Sequence, residues 1–157
     1  MDNNLREVGP GNQETESRKP LNILLVEDDT DLVPLIKNAL KGHNVTVFDN
    51  AEQALEKLRE SQGVPFDWIV TDKGLKGKMD GFDLAKAVKE EGFGTPFVTL
   101  FTASASEVQD QNSTEQLRKK GIHQVMGKPF KSPDFKNGIQ LAGEFGKRAQ
   151  VPQTSKI

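Results

Sequence analysis

The sequence predicts an α/β protein whose core is a doubly wound, five-stranded parallel sheet with helices on both faces. Short apolar or β-branched runs alternate five times with amphipathic stretches of helical length, which is typical of parallel strands joined by helical crossovers. The 157 residues suit one domain of ordinary size. Cysteine is absent, so neither disulfide bonds nor thiolate metal sites hold the fold together.

The predicted strands share a short length and an apolar or β-branched composition, as expected for strands that are covered on both faces. In chain order they are residues 21–26, 44–48, 67–71, 97–102 and 122–126. Parallel strands with right-handed crossovers commonly adopt the order 2-1-3-4-5, in which ligands bind beyond the carboxyl ends of strands 1 and 3.

The predicted helices share apolar side chains that recur every three or four residues. In chain order they are residues 31–41, 51–59, 82–90, 107–120 and 135–147. In the first helix Pro34 lies near the front, where a missing N–H costs least. Its predicted inward face consists of Leu32, Leu35, Ile36 and Leu40. The fourth helix is polar, and the last is weakened by Gly138, Gly143 and Gly146.

The predicted domain spans residues 21–148. Residues 1–20 are polar and contain Gly9-Pro10-Gly11, which predicts a disordered arm, and residues 149–157 form a short tail. The longest apolar stretch, 23–26, is far too short to cross a bilayer, and no secretory signal is present. We therefore expect a cytoplasmic protein that does not associate with membranes.

A net charge of −2 provides no general attraction to nucleic acid, so no nucleic-acid partner is expected. The compact basic cluster Arg118-Lys119-Lys120 is interpreted as a favourable partner for the carboxyl end of a helix.

Acidic residues follow two strands that the predicted order makes neighbours. Glu27, Asp28 and Asp29 follow strand 1, and Asp72 follows strand 3. Carboxylates that share one crevice repel each other unless a cation neutralises them. Oxygen ligands alone select hard cations, and Mg2+ tolerates few protein ligands beside water and phosphate oxygens.

Two further polar groups end neighbouring strands. Thr102 ends strand 4, and Lys128 comes just after strand 5. A hydroxyl and an ammonium beside a carboxylate and a cation suit the binding of a phosphoryl group, with Asp72 as the nucleophile that forms an aspartyl phosphate.

Each of these residues also has a purely structural interpretation. Asp28 and Asp29 could cap a helix, Asp72 could belong to a turn, Thr102 could be an ordinary strand residue, and Lys128 could mark a strand boundary. The combination of all of them at one edge of a sheet is far more specific than any member.

Four segments resemble the motifs of response-regulator receiver domains. They are residues 23–29, residues 67–72 followed by Met79-Asp80-Gly81, Thr102-Ala103, and Gly127-Lys128-Pro129-Phe130. The resemblance covers residues 21 to 148 and implies the flavodoxin-like receiver fold.

The resemblance also implies a role for each site residue. Glu27, Asp28 and Asp72 would hold Mg2+ together with the backbone carbonyl of Gly74. Asp72 would be the phosphoacceptor, with Thr102 binding the phosphoryl group and Lys128 pairing with it. Asp29 lies outside the acidic pair of the family and is expected to start a helix. His43 and His123 are expected to have structural or surface roles.

The chain departs from the family pattern at four places. Val125 stands where receivers carry an aromatic residue, Lys76 replaces a usual proline, and one residue is added before Met79. The segment from Thr102 to Lys128 is longer than usual by about one helical turn, or ~3.6 residues, around residues 107–114. We therefore expect phosphorylation to reorder residues 103–112 more than strand 5.

By this resemblance the chain is a response regulator of two-component signalling, phosphorylated by a sensor histidine kinase or a histidine phosphotransfer protein. Few residues follow Phe145, so we expect a single-domain regulator. It would act as a phosphorelay intermediate, or would bind a target protein through its fourth helix, fifth strand and fifth helix. It would catalyse only its own phosphoryl transfer and dephosphorylation.

Two other classes of protein are alternatives. A pseudo-receiver would be an interaction module that never accepts phosphate, but the complete acid, threonine and lysine set argues against it. An aspartate-nucleophile phosphatase needs a second aspartate two residues after the nucleophile as acid and base, and that position is Gly74.

Overall fold

The computed structural model describes residues 19–61 and 65–149. Its five strands are β1 (Asn22–Val26), β2 (Asn44–Phe48), β3 (Trp68–Asp72), β4 (Phe97–Thr102) and β5 (Gln124–Gly127). They form one parallel sheet in the order β2-β1-β3-β4-β5, as predicted. The predicted arm and tail lie almost entirely outside the described residues.

Six helices connect and follow these strands within the described residues. They are α1 (Leu32–Ala39), α2 (Ala51–Glu60), α3 (Gly81–Glu91), α4 (Ala105–Gln111), α5 (Thr114–Lys119) and α6 (Ser132–Ala149). No described helix is long and apolar enough to cross a membrane.

The two faces of the sheet carry separate halves of the core because successive side chains of a strand point in opposite directions. In β1, Ile23 and Leu25 pack beneath α1 and α6, against Ile36 and Phe135. The intervening Leu24 and Val26 pack on the other face, beneath the helices from α2 to α5. Helices thus cover both faces, as the sequence predicted.

The prediction of one helix over residues 107–120 is wrong, since α4 and α5 are separate helices. Asn112 and Ser113 adopt extended backbone conformations between them. The Ser113 hydroxyl accepts a hydrogen bond from Gln116 N, and Gln116 Oε1 accepts one from Ser113 N. This capping box starts α5 anew, while the Asn112 side chain donates to the Val108 carbonyl near the end of α4.

The prediction that Leu35 faces the core is also wrong, because its side chain is 58% exposed. Ile36 and Leu40 are fully buried. A helix turns by about 100° per residue, so Leu35 points about 100° away from Ile36. Val33, which the sequence did not predict to face inward, packs partly against the core.

Candidate functional site

The carboxyl edge of β1 and β3 brings three acidic residues together. Val26 is paired with Thr71, so the residues that follow on each strand lie side by side. Glu27, Asp28 and Asp72 each offer a carboxylate oxygen, and these oxygens lie within 4.8 Å of one another. The acidic segment is held at this edge because Glu27 N donates to the Phe48 carbonyl at the end of β2.

Glu27 is the most deeply buried of these acids. Its side chain has no exposed surface, and its Oε2 accepts a hydrogen bond from Asp29 N at 3.1 Å. Burial raises the pKa of the Glu27 carboxyl, and the negative charge of Asp72 raises it further, although Lys128 opposes both effects. A carboxylate in this position lacks much of the stabilisation that water would supply.

Lys128 places its ammonium group between two of the acids. Its Nζ lies 2.9 Å from Glu27 Oε1 and 3.3 Å from Asp72 Oδ2. Burial lowers the pKa of Lys128, but the ion pairs with Glu27 and Asp72 outweigh burial and raise it overall. The side chain extends over the ring of Phe101, with Nζ 5.0 Å from the ring centroid. The peptide bond between Lys128 and Pro129 is cis.

The acidic cluster fits a hard divalent cation. The three carboxylates supply only oxygen ligands, which is the donor set that Mg2+ prefers. Glu27 Oε1 is buried, and apart from its ion pair with Lys128 it has no hydrogen-bond partner among the described residues. Gly74 lies two residues after Asp72 in the next loop, and the role of its carbonyl stays a prediction.

Thr102 lies at the same edge of the sheet but is not hydrogen-bonded to the acidic cluster within the described residues. It is 5% exposed, and its hydroxyl accepts a hydrogen bond from Ser104 N at 3.1 Å. A second hydrogen bond, 3.0 Å long, joins the two hydroxyl groups of Thr102 and Ser104. The backbone carbonyl of Thr102 accepts from Lys128 N, which fixes the spacing between β4 and the lysine.

Asp29 has the separate role that the sequence predicted for it. Its Oδ1 accepts hydrogen bonds from Asp31 N at 2.9 Å and from Leu32 N at 3.3 Å. These two bonds satisfy backbone donors at the start of α1, where no helical carbonyl is available. Asp29 is therefore committed to the helix start.

The loop between β3 and α3 is anchored by a residue that the sequence did not single out. Glu52, in the first turn of α2, accepts hydrogen bonds from Lys78 N at 2.8 Å and Met79 N at 2.9 Å. Gly77 has a φ of 91° there, and a Cβ atom at this position would approach Glu52 Oε1 to 2.8 Å. This anchored loop contains the place, just before Met79, where the sequence predicts one added residue.

The start of α3 also explains why the sequence motif contains Asp80 followed by Gly81. Asp80 and Asp83 form a reciprocal capping box at the start of the helix. A Cβ atom at Gly81 would lie 2.3 Å from the Asp72 carbonyl oxygen. Only glycine lets the start of α3 approach the end of β3 so closely.

The two histidines have structural roles, as expected. His43 Nδ1 accepts a hydrogen bond from Leu21 N, and His123 Nδ1 accepts one from Val98 N. The His123 ring also stacks on Phe97, with the ring centroids 5.4 Å apart. Both contacts lie at the amino edge of the sheet, away from the acidic cluster.

The fold and the acidic edge together are those of a receiver-type domain. The family model for the response regulator receiver domain matches residues 23–140. The chain therefore belongs to the response regulator receiver domain family. Members of this family are signalling domains of two-component systems and are not conventional enzymes.

Relatives and solved structures agree with this assignment. The chain is 34% identical over 122 residues to the response regulator receiver protein CpdR of Brucella abortus, covering 75% of this chain and 92% of that protein. It is 29% identical to the chemotaxis protein CheY-3 of Vibrio cholerae, covering 77% and 90%. The same fold is found in the receiver domain of the sensor histidine kinase PA1611 from Pseudomonas aeruginosa, which was solved with a magnesium ion coordinated in its active site cleft. The match has a TM-score of 0.64 and a sequence identity of 23%, and it covers 80% of this chain and 98% of that one.

Proposed function

We propose that this chain is a cytoplasmic single-domain response regulator that accepts a phosphoryl group on Asp72. The observation that carries the proposal is the cluster of Glu27, Asp28 and Asp72 oxygens within 4.8 Å, with Lys128 Nζ 3.3 Å from Asp72. The donor is a phosphohistidine of a sensor histidine kinase or of a histidine phosphotransfer protein. The similarity to CpdR and CheY-3, of which the aligned segments cover 92% and 90%, supports a role as a receiver of the same kind.

In the proposed reaction an Asp72 carboxylate oxygen attacks the phosphorus atom. The new bond joins that oxygen to phosphorus, the bond from phosphorus to the donor imidazole breaks, and its electron pair stays on the imidazole nitrogen. Lys128 moves its ion pair from the carboxylate to the phosphoryl oxygens. The Thr102 hydroxyl leaves Ser104 and donates to another of these oxygens.

Glu27, Asp28 and Asp72, with the Gly74 carbonyl, are proposed to hold Mg2+. When bound, the cation neutralises charge that develops on the transferring phosphoryl oxygens. Glu27 and Asp28 do not react themselves, and their role is to position the cation beside Asp72. The magnesium ion in the PA1611 receiver domain supports this choice of metal.

The direct test is phosphorylation with acetyl phosphate and Mg2+, followed by intact mass measurement. We expect one added phosphoryl group that is stable in acid and labile in base. Asp72→Asn should abolish it, while the matched surface variant Asp110→Asn should leave it unchanged. Undiminished incorporation in Asp72→Asn would overturn the assignment, and failure of the wild-type protein to react with acetyl phosphate or a kinase would favour the pseudo-receiver alternative.

A further inference from the structure

A groove between α3 and α5 lies away from the acidic cluster and has a volume of about 590 Å3. Lys86 and Lys89 line it from α3, while Lys119 and Lys120 line it from the end of α5. All four lysines are exposed. Lys119 and Lys120 of the basic cluster therefore lie in the same groove as two further lysines, which come from α3.

Capping of α5 uses Lys89 but not the other three lysines of the groove. Lys89 Nζ donates to the carbonyls of Lys119 at 3.0 Å and Arg118 at 3.4 Å. Gly121 N also donates to the Arg118 carbonyl. Because a side chain of α3 and the following backbone already satisfy the end of α5, the ammonium groups of Lys119 and Lys120 are not needed there.

The groove keeps an excess of positive charge. Its two acids are Asp83 and Glu90, and Asp83 is held in the capping box of α3. Lys119 has only a loose, exposed contact with Glu115 at 3.8 Å, and such surface pairs contribute little. Lys86 has no ion-pair or hydrogen-bond partner within the described residues. An anionic partner would relieve the mutual repulsion of the lysines.

The floor of the groove indicates what kind of anion fits. Phe82 is partly buried there, and Lys120 Nζ lies 5.2 Å from its ring centroid. The Lys120 ammonium is held in place by the Asn112 side chain at 2.6 Å. A phosphate backbone would meet the carboxylates of Asp83 and Glu90 and would leave the apolar floor unused. A peptide can match both the lysines and the aromatic ring.

We propose that the α3–α5 groove binds an acidic segment of a partner protein, with its carboxylates on the lysines and one apolar side chain against Phe82. This surface is distinct from the phosphoacceptor site, and the proposal does not depend on phosphorylation. Recognition of this kind combines steering by charge with a small apolar anchor.

The test mixes the full chain with a fluorescent twelve-residue peptide that contains eight glutamates and a central Leu-Trp pair. Binding of the peptide is measured by fluorescence anisotropy at low and moderate salt. We expect binding that weakens as salt increases, since the contacts are largely ionic. The double variant Lys86→Glu, Lys119→Glu should weaken it by about tenfold or more, which corresponds to a loss of at least ~1.4 kcal/mol. The control variant Lys37→Glu, Lys41→Glu makes the same charge change near α1, on the opposite face of the sheet.

The control must retain the affinity of the wild-type protein. An equal loss in both variants would show that only net charge matters and would overturn the proposal, as would an unchanged affinity in the groove variant. An all-glutamate peptide that binds as tightly as the anchored one would refute the role of Phe82. A single-stranded oligonucleotide that binds the groove more tightly than the peptide would replace the proposed partner by nucleic acid.

Discussion

At the scale of single residues, the acidic edge is a compromise between burial and repulsion. Glu27 is buried and has its pKa raised, and it is kept beside two other acids by Lys128 and by its backbone contacts. Such an arrangement costs stability in the absence of a cation, because like charges within a few ångströms repel each other. The consequences can be measured one side chain at a time.

Asp28→Asn should have opposite effects on stability and on metal binding. Removal of one of three clustered carboxylate charges should raise the melting temperature of the metal-free protein. The same change should weaken Mg2+ binding by at least about tenfold, because even the loss of a residue that only hydrogen-bonds to a metal ligand typically weakens metal binding by this factor. Calorimetric titration with MgCl2 and thermal melting in EDTA measure the two effects. Asp31→Asn, an exposed change of the same charge, should alter neither, and an unchanged Mg2+ affinity in Asp28→Asn would exclude Asp28 as a ligand.

Ser104→Ala should favour the phosphorylated conformation. The hydrogen bond between the two hydroxyls holds Thr102 in its present position and must be given up when Thr102 turns to a phosphoryl group. Loss of a neutral hydrogen bond of about 1 kcal/mol should tighten the binding of beryllium fluoride, a phosphoryl mimic, by roughly fivefold. Titration with Ser106→Ala as the exposed control checks this, and a weaker affinity in Ser104→Ala would mean that Ser104 helps the switch instead.

At the scale of elements, sequence patterns predicted the strands well and the polar helices less well. The three central strands β1, β3 and β4 are buried almost throughout, so burial dictates their apolar composition. The helices α4 and α5 place only Val108 and Leu117 in the core, so apolar periodicity could not locate the break between them. The Ser113-to-Gln116 capping box was a readable signal, but polar side chains favour a cap only when the backbone is free to turn there.

Gly138 is a second residue whose role could not be predicted from sequence patterns alone. The sequence presents it as a residue that weakens α6, but a Cβ atom there would lie 2.3 Å from the Trp68 ring. We expect Gly138→Ala to lower the free energy of unfolding by ~1–3 kcal/mol through overpacking. Gly143→Ala, in the same helix with open space around it, should instead raise it by up to ~1 kcal/mol. Urea unfolding measures both, and equal effects of the two changes would contradict the role of the tryptophan contact.

The helices after β4 remain the elements that we expect to change with phosphorylation. Val125 is a branched side chain too short to replace Thr102 in the way that an aromatic residue could. Amide hydrogen exchange with and without beryllium fluoride should show its largest difference in residues 103–114. A larger difference in β5 than in this segment would show that strand 5 carries the change after all.

At the scale of the whole molecule, the acidic cluster could be predicted because topology, and not local structure, creates it. The strand order places β1 beside β3, so acids far apart in sequence meet at one edge. The sequence could not reveal Glu52, whose role depends on the distance between α2 and a loop 26 residues later. It also could not reveal the groove, whose cations come from two helices.

His123 should make the stability of the whole domain depend on pH. Burial lowers its pKa below the usual value of about 6.5, and the positive charges of Arg118 and Lys89 lower it further. The unfolded chain therefore binds a proton more readily than the folded one. The stability that the neutral ring contributes is fully present above about pH 6.5 and is lost as the pH falls through the lowered pKa.

Melting temperatures between pH 7.5 and 5 test this expectation. His123→Asn keeps an acceptor for Val98 N but cannot titrate, so its melting temperature should fall less steeply than that of the wild-type protein. His43→Asn is the matched control for the other histidine. An identical slope in His123→Asn and the wild-type protein would show that His123 does not contribute to the acid sensitivity.

The anchoring of the β3–α3 loop by Glu52 has a consequence for the entropy of metal binding. Two backbone amides of this loop, at Lys78 and Met79, are hydrogen-bonded to the Glu52 carboxylate. A loop that is preorganised in this way loses little conformational freedom when a cation binds beside it. Association should therefore carry a small entropic penalty, and Glu52→Gln, which keeps the shape but weakens both acceptors, should make that penalty larger while leaving the coordinating oxygens untouched.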